Sequence, residues 1–212
     1  MGDHYFSEAP SSIDKPRRIR IPIAGRDVEV TTNAGVFSPD RLDTGTRVLL
    51  ANTPAPPAGG DFLDIGCGWG PISLDMASAS PHARVWAVDV NERALDLVRA
   101  NAAELGLDNV VAVRPDEVPA GVLFRTIRSN PPIRVGKAVL HDLMESWLPR
   151  LEERSDAYLV VKRDLGSDSL QRWLGAALPE DFSVRRHATA KGYRIIKVRR
   201  HGSPRTAPID VV

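Results

Sequence analysis

Apolar and polar residues alternate in two short runs on either side of Ala24-Gly25 in "RRIRIPIAGRDVEVTT", and a period-two pattern broken by small residues predicts a β-hairpin. "SPDRLDTGTRVLLAN" then takes helical spacing, with Ser38 as the expected cap and Pro39 at the first helical position. "TPAPPAGG" reads as a connection; the alternative, a proline-rich ligand for another domain, has less to support it. From there the pattern changes to short continuous apolar runs separated by amphipathic stretches. "DFLDIG", "RVWAVDV", "NVVAVRP", the end of "GVLFRTIRSN" and "DAYLVVKR" read as five buried strands. "GPISLDMASA", "NERALDLVRANAAELGL" capped by Asn91, "GKAVLHDLMESWLPRLEER" and "SDSLQRWLGAAL" read as the helices between and after them. "FSVRRHATA" and "KGYRIIKVRR" close the chain as two tightly joined strands. This order predicts an α/β fold, a mostly parallel sheet covered by helices on both faces, with its last strand antiparallel. The expected division is residues 1–37 as an extension carrying the hairpin, 38–200 as the domain proper, and 201–212 as a flexible tail.

Composition narrows the class little. Of 212 residues, 42% are hydrophobic and 26% charged, values ordinary for a globular chain. The single cysteine, Cys67, excludes an internal disulfide, and the five histidines show no ligand spacing, so no metal is expected. A polar start, "MGDHYFSEAP", and the lack of a long apolar run predict no signal sequence and no membrane span, hence a cytoplasmic protein. The net charge of +1 is uninformative, but "KPRRIRI" and "KVRRHGSPR" are locally basic.

"LDIGCGWG" runs from a strand into a glycine-rich turn and a helix, which allows a ligand close to the backbone. Its spacing is not the dinucleotide pattern, and no Walker lysine follows, so bound phosphate is not expected. Asp64 precedes the glycines Gly66 and Gly68. Asp89, at the end of the next strand about twenty residues on, is placed to accept both hydroxyls of a ribose. Asp116 and Glu117 follow the third strand, where an acid can take a hydrogen bond from an adenine amine. Any one of these reads equally well as a capping or solvated acid. On three successive strands they point to S-adenosyl-L-methionine, with Cys67, Val90 and Asn91 alongside. Cys67 is a small residue that fits the turn rather than a nucleophile.

The fourth strand ends in Asn130-Pro131-Pro132. In open α/β sheets ligands sit beyond the carboxyl ends of the strands, so this tripeptide should face the methyl donor. The Asn130 side-chain oxygen and the Pro131 carbonyl can each accept an N–H from an exocyclic amine and aim its lone pair at the methyl carbon. The prolines fix the direction of that carbonyl. Arg134 and Lys137, Lys162 and Arg163, and Lys191 with Tyr193 should rim the same pocket, a positive surface suited to a phosphate backbone. Tyr193 suits stacking on a base or a half-buried place in its strand.

"HYFSE", "TNAGVFSPDRLDTGT", "DIGCGWG", "SNPPIRVGKAVLH", "LGSDSL" and "KGYRIIKV" resemble, in order and spacing, the class I methyltransferases of the ribosomal-RNA guanine-N2 (RsmC-like, small-domain) family, over nearly the whole chain. The resemblance implies a Rossmann-like sheet of seven strands and S-adenosylmethionine as cofactor, held at Asp64, Gly66, Gly68, Asp89 and Asn91, with the amine at Asn130. It also implies that the segment containing Phe37 and Asp43 packs over the pocket. The sequence departs from the family at Ile133, where relatives often carry an aromatic residue, and at Arg125 and Arg128 just before the motif. It also lacks a glycine turn in "LEERSDAY" and the second, non-catalytic domain copy of larger relatives. The expected function is therefore N-methylation of an RNA base, guanine N2 in ribosomal RNA or a ribosomal subunit, by a monomer or homodimer. The alternatives are methylation of a protein glutamine amide and a catalytically silent module that binds cofactor or RNA.

Overall fold

The computed structural model describes residues 15–202, without the side chain of Arg134. The expected tail beyond 202 and the "HYFSE" segment of the resemblance lie outside the described residues. β1 (Arg17–Ile23) and β2 (Arg26–Thr32) form the predicted hairpin, with Ala24 and Gly25 both at positive φ. That is the two-residue turn whose twist matches paired strands. Its buried Ile21, Ile23 and Val30 pack on Trp69, Leu74 and Leu97.

α1 (Thr44–Asn52) begins five residues later than the sequence pattern suggests. Asp43, not Ser38, is the cap: its carboxylate accepts from the Gly45 and Thr46 N–H groups at 2.7 and 3.2 Å. Ser38 instead takes a left-handed turn, φ 49°, and Pro39 gives its carbonyl to the Thr32 hydroxyl. The Thr32 and Trp69 bonds hold the Pro39 and Ser38 carbonyls outside any helix, so the residues before Asp43 run as a turn-rich segment.

β3 (Gly59–Ile65), α2 (Pro71–Ala79), β4 (His82–Val88), α3 (Glu92–Glu104) and β5 (Val110–Val113) follow in the expected alternation. β6 (Phe124–Ser129), α4 (Lys137–Trp147), β7 (Leu151–Lys162), α5 (Ser167–Ala177), β8 (Phe182–Ala190) and β9 (Tyr193–Arg200) complete the chain. The seven-stranded sheet has the order β5-β4-β3-β6-β7-β9-β8, parallel except that β9 runs antiparallel between β7 and β8.

The predicted helix through "LPRLEER" is corrected. α4 stops at Trp147, with Pro149 in the 3-10 turn that follows, and "LEER" already belongs to β7. Arg154 sits there at φ 60°, in the left-handed conformation that a glycine would otherwise supply, beside a register shift in the β6–β7 pairing.

Apolar strands follow from burial on both faces. Along β7, Ala157, Leu159 and Val161 join Leu140, Met144 and Leu174 from α4 and α5. The intervening Tyr158 and Val160 meet Val48 and Leu49 of α1 on the other face. Strand order reverses beside β3, where β4 and β6 lie on opposite sides, so a crevice opens at the carboxyl ends of β3 and β6.

Candidate active site

The crevice is a cavity of about 880 Å³. Gly66 and Gly68 line its floor at φ 70° and 55°. A β-carbon on Gly68 would meet nothing within 4 Å and one on Gly66 only the Pro132 Cδ at 3.9 Å, so the turn leaves open space directly above its backbone. Asp89 is held beside it, accepting the Gly68 N–H at 2.9 Å and the Asn91 N–H at 3.0 Å. Burial pushes its carboxyl above the usual range.

Asp64 lies beneath the turn and is fully buried. Its Oδ2 accepts from both the Ser73 N–H and hydroxyl, at 3.0 and 2.6 Å, while Oδ1 has no partner. Burial raises its pKa to about 7 against these hydrogen bonds. A fully buried carboxylate oxygen without a donor, beside an open glycine cradle, fits a ligand that brings a cationic or N–H group. These residues therefore fit S-adenosylmethionine, whose ribose would fall to Asp89 and whose positive charge suits two carboxylates.

The facing wall is residues 33–46, and its carbonyls are tied down one after another. The Arg93 guanidinium donates to Ala34, the Asn91 amide to Gly35, and the Trp69 indole N–H to Phe37 and Ser38, all between 2.8 and 3.3 Å. Asn91 thus holds this segment with its Nδ2 while its Oδ1 caps α3. Phe37, 48% exposed, and Asp43 line the cavity on this side.

Asn130, Pro131 and Pro132 meet that wall at the end of β6, and all three line the cavity. The Asn130 Nδ2 donates to the Asp43 Oδ2 at 2.9 Å and to the Thr46 hydroxyl at 3.1 Å. Pro132, at φ −75° and ψ 76°, makes a tight turn in which the Ile133 N–H donates to the Pro131 carbonyl at 2.9 Å. That bond fixes the carbonyl's direction and leaves a second lone pair.

Ile133, Lys162 and Tyr193 also line the cavity. The Tyr193 hydroxyl is held above its usual pKa, mainly by burial and then by Asp43. Arg163 donates its backbone N–H to the Gly192 carbonyl, which joins the Lys162–Arg163 and Lys191–Gly192 turns. Lys137 opens α4 just beyond the motif. Lys137, Arg163 and Lys191 are exposed and do not line the cavity itself, and the Arg134 side chain lies outside what is described.

Other expected residues are not brought into the cavity. Cys67 is buried with its thiol toward the Gly68 carbonyl, and burial raises its pKa well above the ordinary value, as befits an inert filler. Val90 contributes its carbonyl to Arg114. Asp116 and Glu117 form a 3-10 turn after β5: Asp116 is exposed beside the Arg114 guanidinium, and Glu117 accepts the Arg114 backbone N–H. Neither of the two arginine departures lines the cavity. Arg128 is buried, donates to the Pro54 carbonyl at 2.6 Å and faces Asp75, while Arg125 pairs with Glu152 at the surface.

Sequence reasoning missed Thr46, the second acceptor for Asn130, and Trp69, the anchor of the facing segment. Both lie inside motifs already singled out, but only the long-range hydrogen bonds give them a role. Val36, Val135 and Leu165 add apolar surface to the cavity that no spacing announced.

Among protein families, the methyltransferase small domain matches residues 27–197. The chain belongs to the methyltransferase small domain family. Across its full length the uncharacterized protein YbxB of Bacillus subtilis is 34% identical over 203 residues, 94% of this chain. The ribosomal RNA small subunit methyltransferase C of Pseudomonas aeruginosa is 32% identical over 203 residues, which is 92% of this chain and 59% of that protein. In fold, the T. thermophilus 16S rRNA N2-guanine methyltransferase RsmC, solved with AdoMet and guanosine, superposes with a TM-score of 0.75 at 21% identity, covering 88% of this chain and 51% of that one. The chain spans 50% and 59% of the length of two of these rRNA methyltransferases and about a third of others that it matches.

Proposed function

We propose that this chain is an S-adenosylmethionine-dependent N-methyltransferase acting on an exocyclic amine of an RNA base, namely guanine N2 in ribosomal RNA. The observation that carries the reading is the state of Asn130. Both N–H groups of its amide are engaged by Asp43 and Thr46, and no donor among the described residues reaches its Oδ1, on the cavity beside the glycine turn.

An aromatic amine is a weak nucleophile because its lone pair is delocalised into the ring. Accepting one N–H at Asn130 Oδ1 and the other at the Pro131 carbonyl pulls electron density back onto nitrogen and turns the lone pair toward the glycine turn. The cofactor supplies a methyl group on a positively charged sulfur, which leaves as a neutral thioether with the electron pair of the broken C–S bond. The new C–N bond is made from the amine lone pair, and the amine then gives one N–H proton to water. No strong base is needed, and none lines the cavity beyond Asp43 and Asp89, whose oxygens hold backbone and amide N–H groups. Phe37 and Ile133 offer apolar faces for the base.

Two further observations support RNA as the acceptor. The relatives of Pseudomonas aeruginosa and Shewanella amazonensis are named ribosomal RNA methyltransferases. Lys162 lines the cavity, with Arg163 and Lys191 on the adjoining turns, and cations there serve a phosphate backbone better than the methyl transfer. Arg125 and Arg128 do not line the cavity, which counts against the silent-module alternative.

Radiolabelled S-adenosylmethionine, purified protein, and ribosomal RNA or subunits from a strain lacking the gene test the reading, with nucleoside analysis of the product. Label in N2-methylguanosine, lost with Asn130→Ala, is the expected result. Label in another base amine would move the substrate and keep the clamp. Label only in protein glutamine would replace RNA as the acceptor.

A further inference from the structure

We infer that Asp43 is a positioning residue that sets the face of the Asn130 amide presented to the substrate, an inference that rests on the amine-transfer reading above. A primary amide has an oxygen end and an NH₂ end of nearly the same shape, and only the oxygen end can accept the substrate N–H. If the amide were turned over, it would point donors at a donor and lose its hold on the amine. Something must therefore distinguish the two ends, and shape cannot.

An ionised carboxylate can, because it only accepts hydrogen bonds. The Asp43 Oδ2 sits 2.9 Å from the Asn130 Nδ2 and gathers the Gly45 and Thr46 N–H groups at 2.7 and 3.2 Å on the same oxygen. The two backbone bonds make Asp43 the cap of α1, so the helix terminus fixes the carboxylate before Asn130 meets it. A flipped amide would set its own oxygen against that carboxylate oxygen, a repulsive contact in a partly buried place. The Thr46 hydroxyl, at 3.1 Å, takes the second N–H and leaves the amide no donor to turn toward the cavity.

The surroundings leave the carboxylate little room to move. A β-carbon on Gly45 would come within 2.9 Å of both the Asp43 Oδ2 and the Tyr193 ring, so this glycine is the space in which carboxylate and ring sit together. The "LDTGT" motif thereby acts on Asn130 from 87 and 84 residues away, through the Asp43 and Thr46 hydrogen bonds.

Serine separates the two duties of Asp43. It caps a helix about as well as aspartate but is too short to reach Asn130. With Asp43→Ser we expect kcat for methyl transfer to fall about 10- to 100-fold, the scale of a lost hydrogen bond to a charged group, with cofactor Kd and melting temperature changed little. Asn130→Asp should be poorly active because two carboxylates then face each other. In parallel, the side-chain amide protons of ¹⁵N-labelled Asn130 should be shifted and slowly exchanging in the wild type and lose both signatures in Asp43→Ser. An unchanged kcat in Asp43→Ser, or amide protons indifferent to Asp43, would each overturn the inference. The amide measurement needs no substrate, so it tests the lock even if the acceptor proves to be something other than an RNA base.

Discussion

The two walls of the cavity are built by different means. The cofactor-side wall is local: Gly66 and Gly68 lie five residues or fewer from Asp64 and take left-handed backbone that leaves space for a ligand. The acceptor-side wall is assembled from a distance. Ala34, Gly35, Phe37 and Ser38 are held by side chains of Arg93, Asn91 and Trp69, and Asn130 by Asp43 and Thr46. Backbone conformation makes the first wall, and side-chain hydrogen bonds between remote segments make the second. One should therefore fail through shape and the other through orientation.

The largest break is on the acceptor side. Asn130→Ala removes one of the two proposed acceptors for the substrate amine, and kcat should fall about a thousandfold, equivalent to roughly 4 kcal/mol of transition-state stabilisation. Cofactor affinity measured by calorimetry should stay within a few-fold of wild type; a parallel loss of both would mean the two walls are not separable.

On the cofactor side the buried Asp64 carries a pH signature. Its folded-state pKa of about 7 stands above the ordinary 3.8, so the native protein binds this proton more tightly than the unfolded chain does. The stability it contributes is full below about pH 4 and is lost as pH rises through about 7. Asp64→Asn avoids that loss, so urea melts of the ligand-free protein should show the variant gaining on wild type across this window, by about 4 kcal/mol at pH 8. A difference independent of pH would show that the carboxylate is ionised without cost.

A smaller effect sharpens the claim about shape. Gly68→Val fills the open space and demands a left-handed valine, costing about 1–2 kcal/mol of conformational energy, and cofactor affinity should drop at least tenfold. Gly70→Ala, by contrast, meets the Val98 side chain at 3.0 Å and should lower thermal stability more than affinity.

The smallest expected effect is on the hairpin. Arg18 is exposed and pairs with Glu29 and Glu104 on the surface, so Arg18→Ala should leave the melting temperature almost unchanged, and less changed still in high salt.

The same division explains what could be read from the chain. The strands, the glycine turn, the Asn91 cap and the position of Asn-Pro-Pro follow from period, capping chemistry and strand ends, and all are written in neighbouring residues. The start of α1 was misplaced because Ser38-Pro39 and Asp43 offer rival caps, and the choice between them depends on Thr32 and Trp69, which take the carbonyls of Pro39 and Ser38. The end of α4 was misplaced because "LEER" has helical composition, while Arg154 in a left-handed turn lets it pair as strand. The expected roles of Asp116 and Glu117 rested on strand position alone, and the side chains are instead engaged by Arg114. Thr46 and the orientation of Asn130 had no local signature at all.

The stitched segment from residue 33 to 42 also bears on the thermodynamics of association. A wall that is already folded, with its carbonyls engaged, brings no ordering entropy to the encounter and hides no further apolar surface by folding over the ligand. The heat-capacity change on binding should then be the modest one of filling a preformed cleft, and with the proposed RNA substrate the entropy of association should be set by the release of water and counterions.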